Sequence, residues 1–242
     1  MQKIWCYIPV IVLATGWLYL LVRSAPSIGS EDKLEFGFPQ NLEELRRVAE
    51  LLRLYSKTNL LYVIVLFSSA YVYKQMFSIP GSAVLNLLGG ALFGVKHGLP
   101  LCCTLTAAGA SLCYWLSHMF GAELVQSYFS RQLQKLRVKI EENSHQLVYY
   151  MLFLRVFPMT PNWLINLVSP VLGIPYGTFV FTAFLGLMPF NYLCVQAGEM
   201  LASLSSLNDL YSYSTLFKMA AMACVALAPT FVMKGKTKTN LE

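Results

Sequence analysis

The chain has 242 residues, of which 56% are hydrophobic and only 12% are charged. A soluble domain is typically about a quarter charged, so this composition indicates an integral membrane protein. We interpret the formal net charge of +6 as the excess of basic residues that sets the orientation of a membrane protein, and not as a surface that binds nucleic acid. No basic stretch interleaved with aromatic residues lies outside the apolar segments, and we exclude nucleic acid as a partner.

The chain begins with an apolar run, Ile4 to Val22, flanked by basic residues. Residues 1–23 are therefore either a first transmembrane helix or a cleaved signal segment. Residues 24–57 form a polar linker whose six acidic side chains are balanced by five basic ones and the preceding Arg23. From Asn41, a plausible N-cap, apolar residues recur at helical spacing and predict an amphipathic helix. That helix lies either on the membrane surface or on the protein itself.

An interrupted apolar segment, residues 78–97, follows a span at Asn59 to Phe77. Pro80-Gly81 predicts one helix break and Gly89-Gly90 a second, and the piece between them is too short to cross a bilayer about 30 Å thick. We expect a re-entrant hairpin that enters and leaves on one side. The alternative is a glycine-rich surface for close helix contact.

A second interrupted segment covers residues 150–175 and contains Arg155 and four prolines. Freed backbone carbonyls and a guanidinium are tolerable at membrane depth only where protein or a water-filled cavity satisfies them. This pattern predicts a second re-entrant hairpin that faces a polar cavity. The alternative is a single kinked helix whose arginine snorkels to the membrane surface.

The same order of features occurs in both halves of the chain, Asn41–Phe120 and Glu123–Ala197. Each half reads as a polar helix, an apolar entry, a broken segment and a full span. We therefore predict an all-α polytopic membrane protein, built as an inverted-repeat helical bundle with two re-entrant hairpins in a membrane domain at 58–233. Its full spans and basic tail are predicted at Leu99–Phe120, Tyr176–Ala197, Thr215–Met233 and 234–242. The charge rule places the tail in the cytosol.

Three short runs near the broken segments carry a family resemblance: Phe77 to Ser82, Gly109 to Tyr114, and Phe153 to Pro158 with Pro161-Asn162-Trp163. They resemble the DedA superfamily of VTT-domain proteins, and within it the transmembrane protein 41 family. The resemblance implies two facing re-entrant loops, residence in the endoplasmic reticulum, and phospholipid scrambling that supports autophagosome formation. Bacterial members carry an acidic residue near Gly81-Ser82-Ala83, so the resemblance does not extend to their proposed proton coupling.

The candidate lipid path is lined by residues of the two broken segments and one neighbouring tyrosine: Arg155, Pro158, Pro161, Asn162, Pro80, Gly81, Ser82, Asn86 and Tyr114. Arg155 either contacts lipid phosphate or ties the two hairpins together through carbonyls. Asn86, Asn162 and Asn166 act either as ligands or as hairpin caps. The expected partners are phospholipids and, through small residues at Ala107–Ser111, a second copy or a related VTT-domain protein, although this face could equally pack inside the monomer.

The sequence contains no nucleophile–base pair, metal-ligand cluster or phosphate-binding glycine loop, so we predict no enzyme activity, metal or cofactor. Three functions remain: an energy-independent phospholipid scramblase, an ion-coupled transporter of a small anion or lipid phosphate, and a non-transporting scaffold. The transporter would need a buried carboxylate to carry the proton, with Glu199 and Asp209 as candidates.

Overall fold

The computed structural model describes residues 7–26, 42–121, 130–142, 146–156 and 161–203. The regular structure within these ranges is helical, which confirms the predicted all-α class. The seven α-helices of the described ranges are α1 (Tyr7–Arg23), α2 (Leu42–Met76), α3 (Ser82–Leu116), α4 (Ser130–Glu142), α5 (Leu147–Val156), α6 (Asn162–Val168) and α7 (Tyr176–Ser203). A π-helical turn, Ser117–Gly121, follows α3.

Three of the described helices are long and apolar enough to cross a membrane: Glu43–Met76, Ser82–Phe120 and Tyr176–Ala202. This finding confirms the predicted polytopic membrane protein. The predicted span Thr215–Met233, the tail at 234–242 and the candidate residue Pro158 lie outside the described residues.

Helix α1 is joined to α2 by hydrogen bonds along its length. The Thr15 and Tyr73 hydroxyls lie 3.0 Å apart, and the Trp17 indole donates to Ser69 Oγ at 3.1 Å. Nearer the end of α1, the Tyr62 hydroxyl donates to a backbone carbonyl of α1 at 2.8 Å. Helix α1 therefore packs against α2 as part of the bundle, and the choice between a first transmembrane helix and a cleaved signal segment stays a prediction.

The amphipathic part of α2 packs on the protein itself. A kink at Asn59, with φ −139° and ψ 59°, separates residues 42–58 from the apolar part that follows. Leu45 and Leu52 on the amphipathic part are only 4% exposed, and the Arg53 guanidinium donates to the Ala202 carbonyl at 3.4 Å. The alternative of a helix lying on the membrane surface is therefore wrong for the buried face.

The chain reverses direction twice around the first broken segment. This gives three consecutive helical stretches, which we call legs: the apolar part of α2, residues 82–93 and residues 95–116. Helix α2 ends at Met76, and α3 then begins at Ser82 and is broken at Gly94, where φ is +67° and ψ is 176°. Residues 82–93 run back along α2, so that Phe67 contacts Gly89. Residues 95–116 reverse again, which brings Gly98 against the Gly89 carbonyl. Both reversals fall inside the predicted range 78–97.

The predicted second break at Gly89-Gly90 is wrong, because α3 continues through both residues. A Cβ added at Gly90 would overlap the Val195 carbonyl of α7, and one at Gly89 would lie 2.7 Å from Cys102 Sγ. These two glycines allow close helix contact, as the alternative interpretation held. The reversal uses Gly94 instead, whose positive φ is easily adopted only by glycine.

The second half of the chain has the same order of helical stretches as the first, but runs in the opposite direction. Helix α5 enters, α6 forms a short middle leg, and α7 forms the long leg. The start of α7 lies beside Tyr114 near the end of α3, and its other end lies beside Gly90. The long legs at 95–116 and α7 are thus antiparallel, as an inverted repeat requires.

Helix α7 does not end at Ala197, the predicted end of this span, but runs to Ser203. A glycine directly after the predicted end, here Gly198, is typical of a helix terminus. The structure instead places Gly198 against the Leu87 carbonyl of α3, where a Cβ would overlap that backbone. Gly198 is therefore another position of close helix contact, and nothing in its environment ends the helix.

The small-residue face at Ala107–Ser111 packs within the chain. Ala110 is fully buried, Ala107 is 9% exposed, and Gly109 lies against the Gln75 side chain of α2. These contacts support the alternative in which this face joins helices of one monomer. The prediction of a partner chain stays untested.

Substitution of Gly90 by alanine is expected to destabilise the fold, because the new methyl group would overlap backbone of α7 and force the helices apart. Overpacking of this kind costs about 1–3 kcal/mol or more. The matched control is Gly177→Ala in α7, where a Cβ meets nothing within 4 Å. Tryptophan-fluorescence melting of the purified protein in detergent should show a lower Tm for Gly90→Ala alone; equal Tm values for the two variants would refute the close contact.

Candidate functional site

A polar cavity of about 150 Å³ lies where the two broken segments meet. We call it the hairpin cavity. Seven polar side chains line it: Gln75, Ser78, Ser82, Thr106, Asn162, Asn166 and Asn191. The remaining lining residues are Ile79, Pro80, Gly81, Trp163, Leu187 and Phe190. Thr106 and Asn191 each lie well inside a long leg, so the cavity is remote from the ends of both apolar helices.

The break between α2 and α3 builds one wall of the hairpin cavity. Pro80 disfavours a helical conformation at the preceding residue, and Gly81 adopts φ +96°. The buried Lys74, 7% exposed, donates from Nζ to the Gly81 carbonyl at 3.0 Å. That carbonyl also accepts a hydrogen bond from Val84 N at 3.2 Å, so the lysine adds a second bond that ties the break to the end of α2.

A hydrogen-bonded network of four side chains joins the two halves beside the cavity. The Tyr71 hydroxyl donates to Asn86 Oδ1 at 2.8 Å, and Asn86 Nδ2 donates to Asn191 Oδ1 at 2.8 Å. Asn191 Nδ2 then donates to Thr106 Oγ1 at 3.2 Å. The Thr106 and Tyr71 hydroxyls lie 2.7 Å apart, which closes the ring.

The guanidinium of Arg155 lies in the protein interior, 2% exposed, so the snorkelling alternative is wrong. Its Nη1 donates to Asn166 Oδ1 at 3.2 Å, and its Cζ lies 4.8 Å from the centre of the Phe179 ring. Gly186 of α7 makes room for the aliphatic stem, since a Cβ there would lie 2.9 Å from Arg155 Cβ. Among the described residues, Nε and Nη2 have no hydrogen-bond partner.

Both buried charges of the described residues are positive. Lys74 and Arg155 each lie shortly before the break of their own half. Among the described residues whose burial is known, no Asp or Glu is buried. In an apolar bundle such charges interact more strongly than they would in water. The surroundings of the hairpin cavity therefore favour an anionic group.

The structure places the predicted site residues in three groups. Pro80, Gly81, Ser82 and Asn162 line the hairpin cavity. Asn86 and Arg155 reach it through the lining residues Asn191 and Asn166, respectively.

The third group lies away from the cavity lining. Pro161 is exposed at the start of α6. Tyr114 does not line the cavity, and its hydroxyl donates to the Ile174 carbonyl at 2.8 Å.

The interpretation of Asn86 and Asn166 as hairpin caps is wrong. Both lie inside helices and bond to side chains of other elements, Asn86 to Tyr71 and Asn166 to Arg155. Arg155 in turn bonds a side-chain amide of its own half, and among described partners it bonds no backbone carbonyl.

Sequence reasoning missed six polar residues of the site: Tyr71, Lys74, Gln75, Ser78, Thr106 and Asn191. A signal existed for one of them, because Asn191 is a lone amide between the apolar residues of a long span. Lys74 lies inside the predicted span Asn59 to Phe77 and precedes the first break, as the equivalent cation Arg155 precedes the second.

The comparison with protein families identifies residues 79–200 as a VTT domain. The chain is also 34% identical to a transmembrane protein 41 homologue of Caenorhabditis elegans, over 92% of this chain and 90% of the relative. The chain belongs to the transmembrane protein 41 family of VTT-domain proteins. The matched region contains residues 79–97 of the first broken segment and all of the second. Apart from Gln75 and Ser78, the residues that line the hairpin cavity therefore lie within the family's shared domain.

Other members of the family are similar over comparable lengths. Identity to a transmembrane protein 41 homologue of Dictyostelium discoideum is 35%, over 89% of this chain and 64% of that longer relative. Identity to human transmembrane protein 41B is 30%, over 93% of this chain and 77% of the relative. No solved structure matches the chain significantly.

Replacement of Asn86 by leucine is expected to lower stability, because the buried Asn191 Oδ1 loses its hydrogen-bond donor and the buried Tyr71 hydroxyl loses its amide acceptor. A buried unsatisfied group costs about 1–3 kcal/mol. Ser111→Ala is the control, since among the described residues that hydroxyl bonds only the Ala107 carbonyl of its own helix. Thermal melting in detergent should give a lower Tm for Asn86→Leu than for Ser111→Ala, and the reverse order would contradict the network.

Proposed function

We propose that this protein is an energy-independent phospholipid scramblase. It equilibrates glycerophospholipids between the leaflets of the endoplasmic reticulum membrane, with its C-terminal tail in the cytosol, and so supports lipid mobilisation and autophagosome formation. The reaction forms and breaks no covalent bond, so it needs no catalytic residue and no cofactor. The family resemblance suggests the compartment and the cellular role.

The observation that carries this proposal is the hairpin cavity itself. It presents amide and hydroxyl groups deep inside a bundle whose long helices are apolar. Burying such groups without a polar partner is costly, so this part of the bundle suits water or a polar solute. A lipid headgroup that crosses the bilayer is a polar solute of this kind.

The barrier to lipid movement between leaflets is the desolvation of the headgroup in hydrocarbon. Side chains such as Asn162 and Ser82 substitute for part of the lost hydration, while the acyl chains remain in the lipid. The buried cations Lys74 and Arg155 lower the energy of the phosphate at the same depth. The gradient of lipid alone sets the direction of transfer.

An ion-coupled transporter is the second candidate, and it requires a titratable carboxylate on the path. Glu199 is exposed and lies near Gly94, away from the hairpin cavity. Asp209 lies outside the described residues. With no carboxylate among the described lining residues, transfer without coupling is the better supported function. The scaffold hypothesis does not explain why polar side chains converge at mid-bundle.

Reconstitution of the purified protein in liposomes that contain a fluorescent NBD-phospholipid tests the proposal. We expect added dithionite to bleach the inner-leaflet probe as well as the outer, because scrambling makes both accessible. The rate should not depend on an imposed pH gradient. A trapped soluble fluorophore controls for leakage of dithionite.

The Ser82→Phe variant places a bulky side chain in the hairpin cavity and should slow the bleaching of the inner-leaflet probe. Thr104→Phe is its matched control on the same helix, since Thr104 is exposed. Bleaching that stops at the outer leaflet's share with folded wild-type protein would exclude the scramblase. A rate that follows the pH gradient would favour the transporter.

A further inference from the structure

Arg155 and Asn166 form a hydrogen-bonded pair next to the hairpin cavity, and only one member of the pair lines it. Asn166 lines the cavity, whereas Arg155 lies behind it and does not line it. Both side chains are almost completely buried, Arg155 at 2% and Asn166 at 1% exposed. The contact between them joins Nη1 to Oδ1 at 3.2 Å.

This contact fixes the orientation of the Asn166 amide. A guanidinium has donors only, so it can hold the amide only through the carbonyl oxygen. The Nδ2 group must therefore point the other way, and no described residue accepts a hydrogen bond from it. Because Asn166 lines the cavity, this donor is available to the cavity's contents.

The corresponding asparagine of the first half is arranged differently. Asn86 follows Gly81 by the same number of residues as Asn166 follows Pro161. Both ends of the Asn86 amide are engaged, since Oδ1 accepts from Tyr71 and Nδ2 donates to Asn191. One asparagine of the repeat therefore ties the halves together, and the other leaves a donor unused.

The geometry points to Asn166 as the residue that binds the lipid in the hairpin cavity, with Arg155 as its positioning residue. Asn166 Nδ2 donates a hydrogen bond to a phosphate oxygen of the lipid headgroup as it passes. This inference rests on the proposed scramblase function and names the group that contacts the substrate.

The charge distribution selects an anionic oxygen as the acceptor. Nε and Nη2 of Arg155 have no partner among the described residues, so its positive charge is not neutralised locally. That charge polarises the Asn166 amide and strengthens its Nδ2 donor. It also disfavours a cationic headgroup amine at the same position.

Asn162 has a different part in the lining. Its Oδ1 is buried without a described partner. No described donor holds that amide, so it can turn either end to the cavity. It adapts to the solute, whereas Asn166 is fixed.

Two variants separate lipid binding from a merely structural role. Asn166→Asp keeps Arg155 paired, now with a carboxylate, but replaces the cavity donor by an acceptor and cancels the charge. The double variant Arg155→Met/Asn166→Leu removes both polar groups together and leaves no buried charge unpaired. Replacement of a buried polar pair by apolar residues of similar size is often neutral or stabilising. Both variants should therefore fold.

We expect both variants to melt at or above the wild-type temperature and to scramble NBD-phospholipid at least about tenfold more slowly, as loss of a charge-assisted hydrogen bond implies. Ser111→Ala, whose hydroxyl bonds its own helix, should match wild type in both measurements. Wild-type transfer rates in either folded variant would overturn the inference and leave the scramblase proposal intact. Absent transfer in the wild type would instead remove the proposed function itself.

Inorganic phosphate added to the same vesicles distinguishes a lipid headgroup from a free anion. We expect no effect on wild-type transfer, because the donor is reached from the lipid. Inhibition of the wild type that is absent from Asn166→Asp would assign the donor to a free anion and would also overturn the inference. If Asn166→Asp does not fold, the apolar double variant decides.

Discussion

Two interruptions of helical backbone, placed inside an apolar bundle, are the constraint on which the rest of this structure depends. Backbone groups released at such a break must find partners, because hydrocarbon offers none. The chain meets this need by bringing the two breaks together, so that 78–82 and 162–166 face one cavity. Lys74 donates to the Gly81 carbonyl at the first break, and Asn191 joins the halves beside the cavity through its hydrogen bonds with Asn86 and Thr106. Polar side chains that would destabilise a simple helical bundle are here required by its topology.

Glycine makes this arrangement physically accessible, in two different ways. Gly81 and Gly94 adopt positive φ where the chain reverses. Gly90 and Gly198 instead let the middle leg of the first half approach the backbone of α7. Without that approach, Asn86 could not reach Asn191, which lies 105 residues away in the chain. The close contact of apolar helices therefore positions the polar network, and through it the site.

A glycine that ends a helix at a reversal is easier to predict from the sequence than a glycine that allows close contact between helices. Proline and glycine together at Pro80-Gly81 act locally, so the break there is correctly predicted from the residues alone. Gly89-Gly90 carries the same local signal but serves a distant partner, and local propensity cannot separate a turn glycine from a contact glycine. Asn162 and Asn166, the partner of Arg155, both line the hairpin cavity, and the interrupted segment in the sequence predicts this. The recruitment of Thr106 and Asn191 does not, because it depends on the angle at which two long helices cross.

The central claim is that polar groups of both breaks meet water deep within the protein. Hydrogen–deuterium exchange with mass spectrometry, on the protein in lipid nanodiscs, tests this claim directly. We expect rapid exchange of backbone amides in peptides that cover 78–84 and 161–165, next to slow exchange at 102–113 in the adjoining long leg. Equal and strong protection of all three regions would contradict it, since the breaks would then be dry and the hairpin cavity closed to polar solutes.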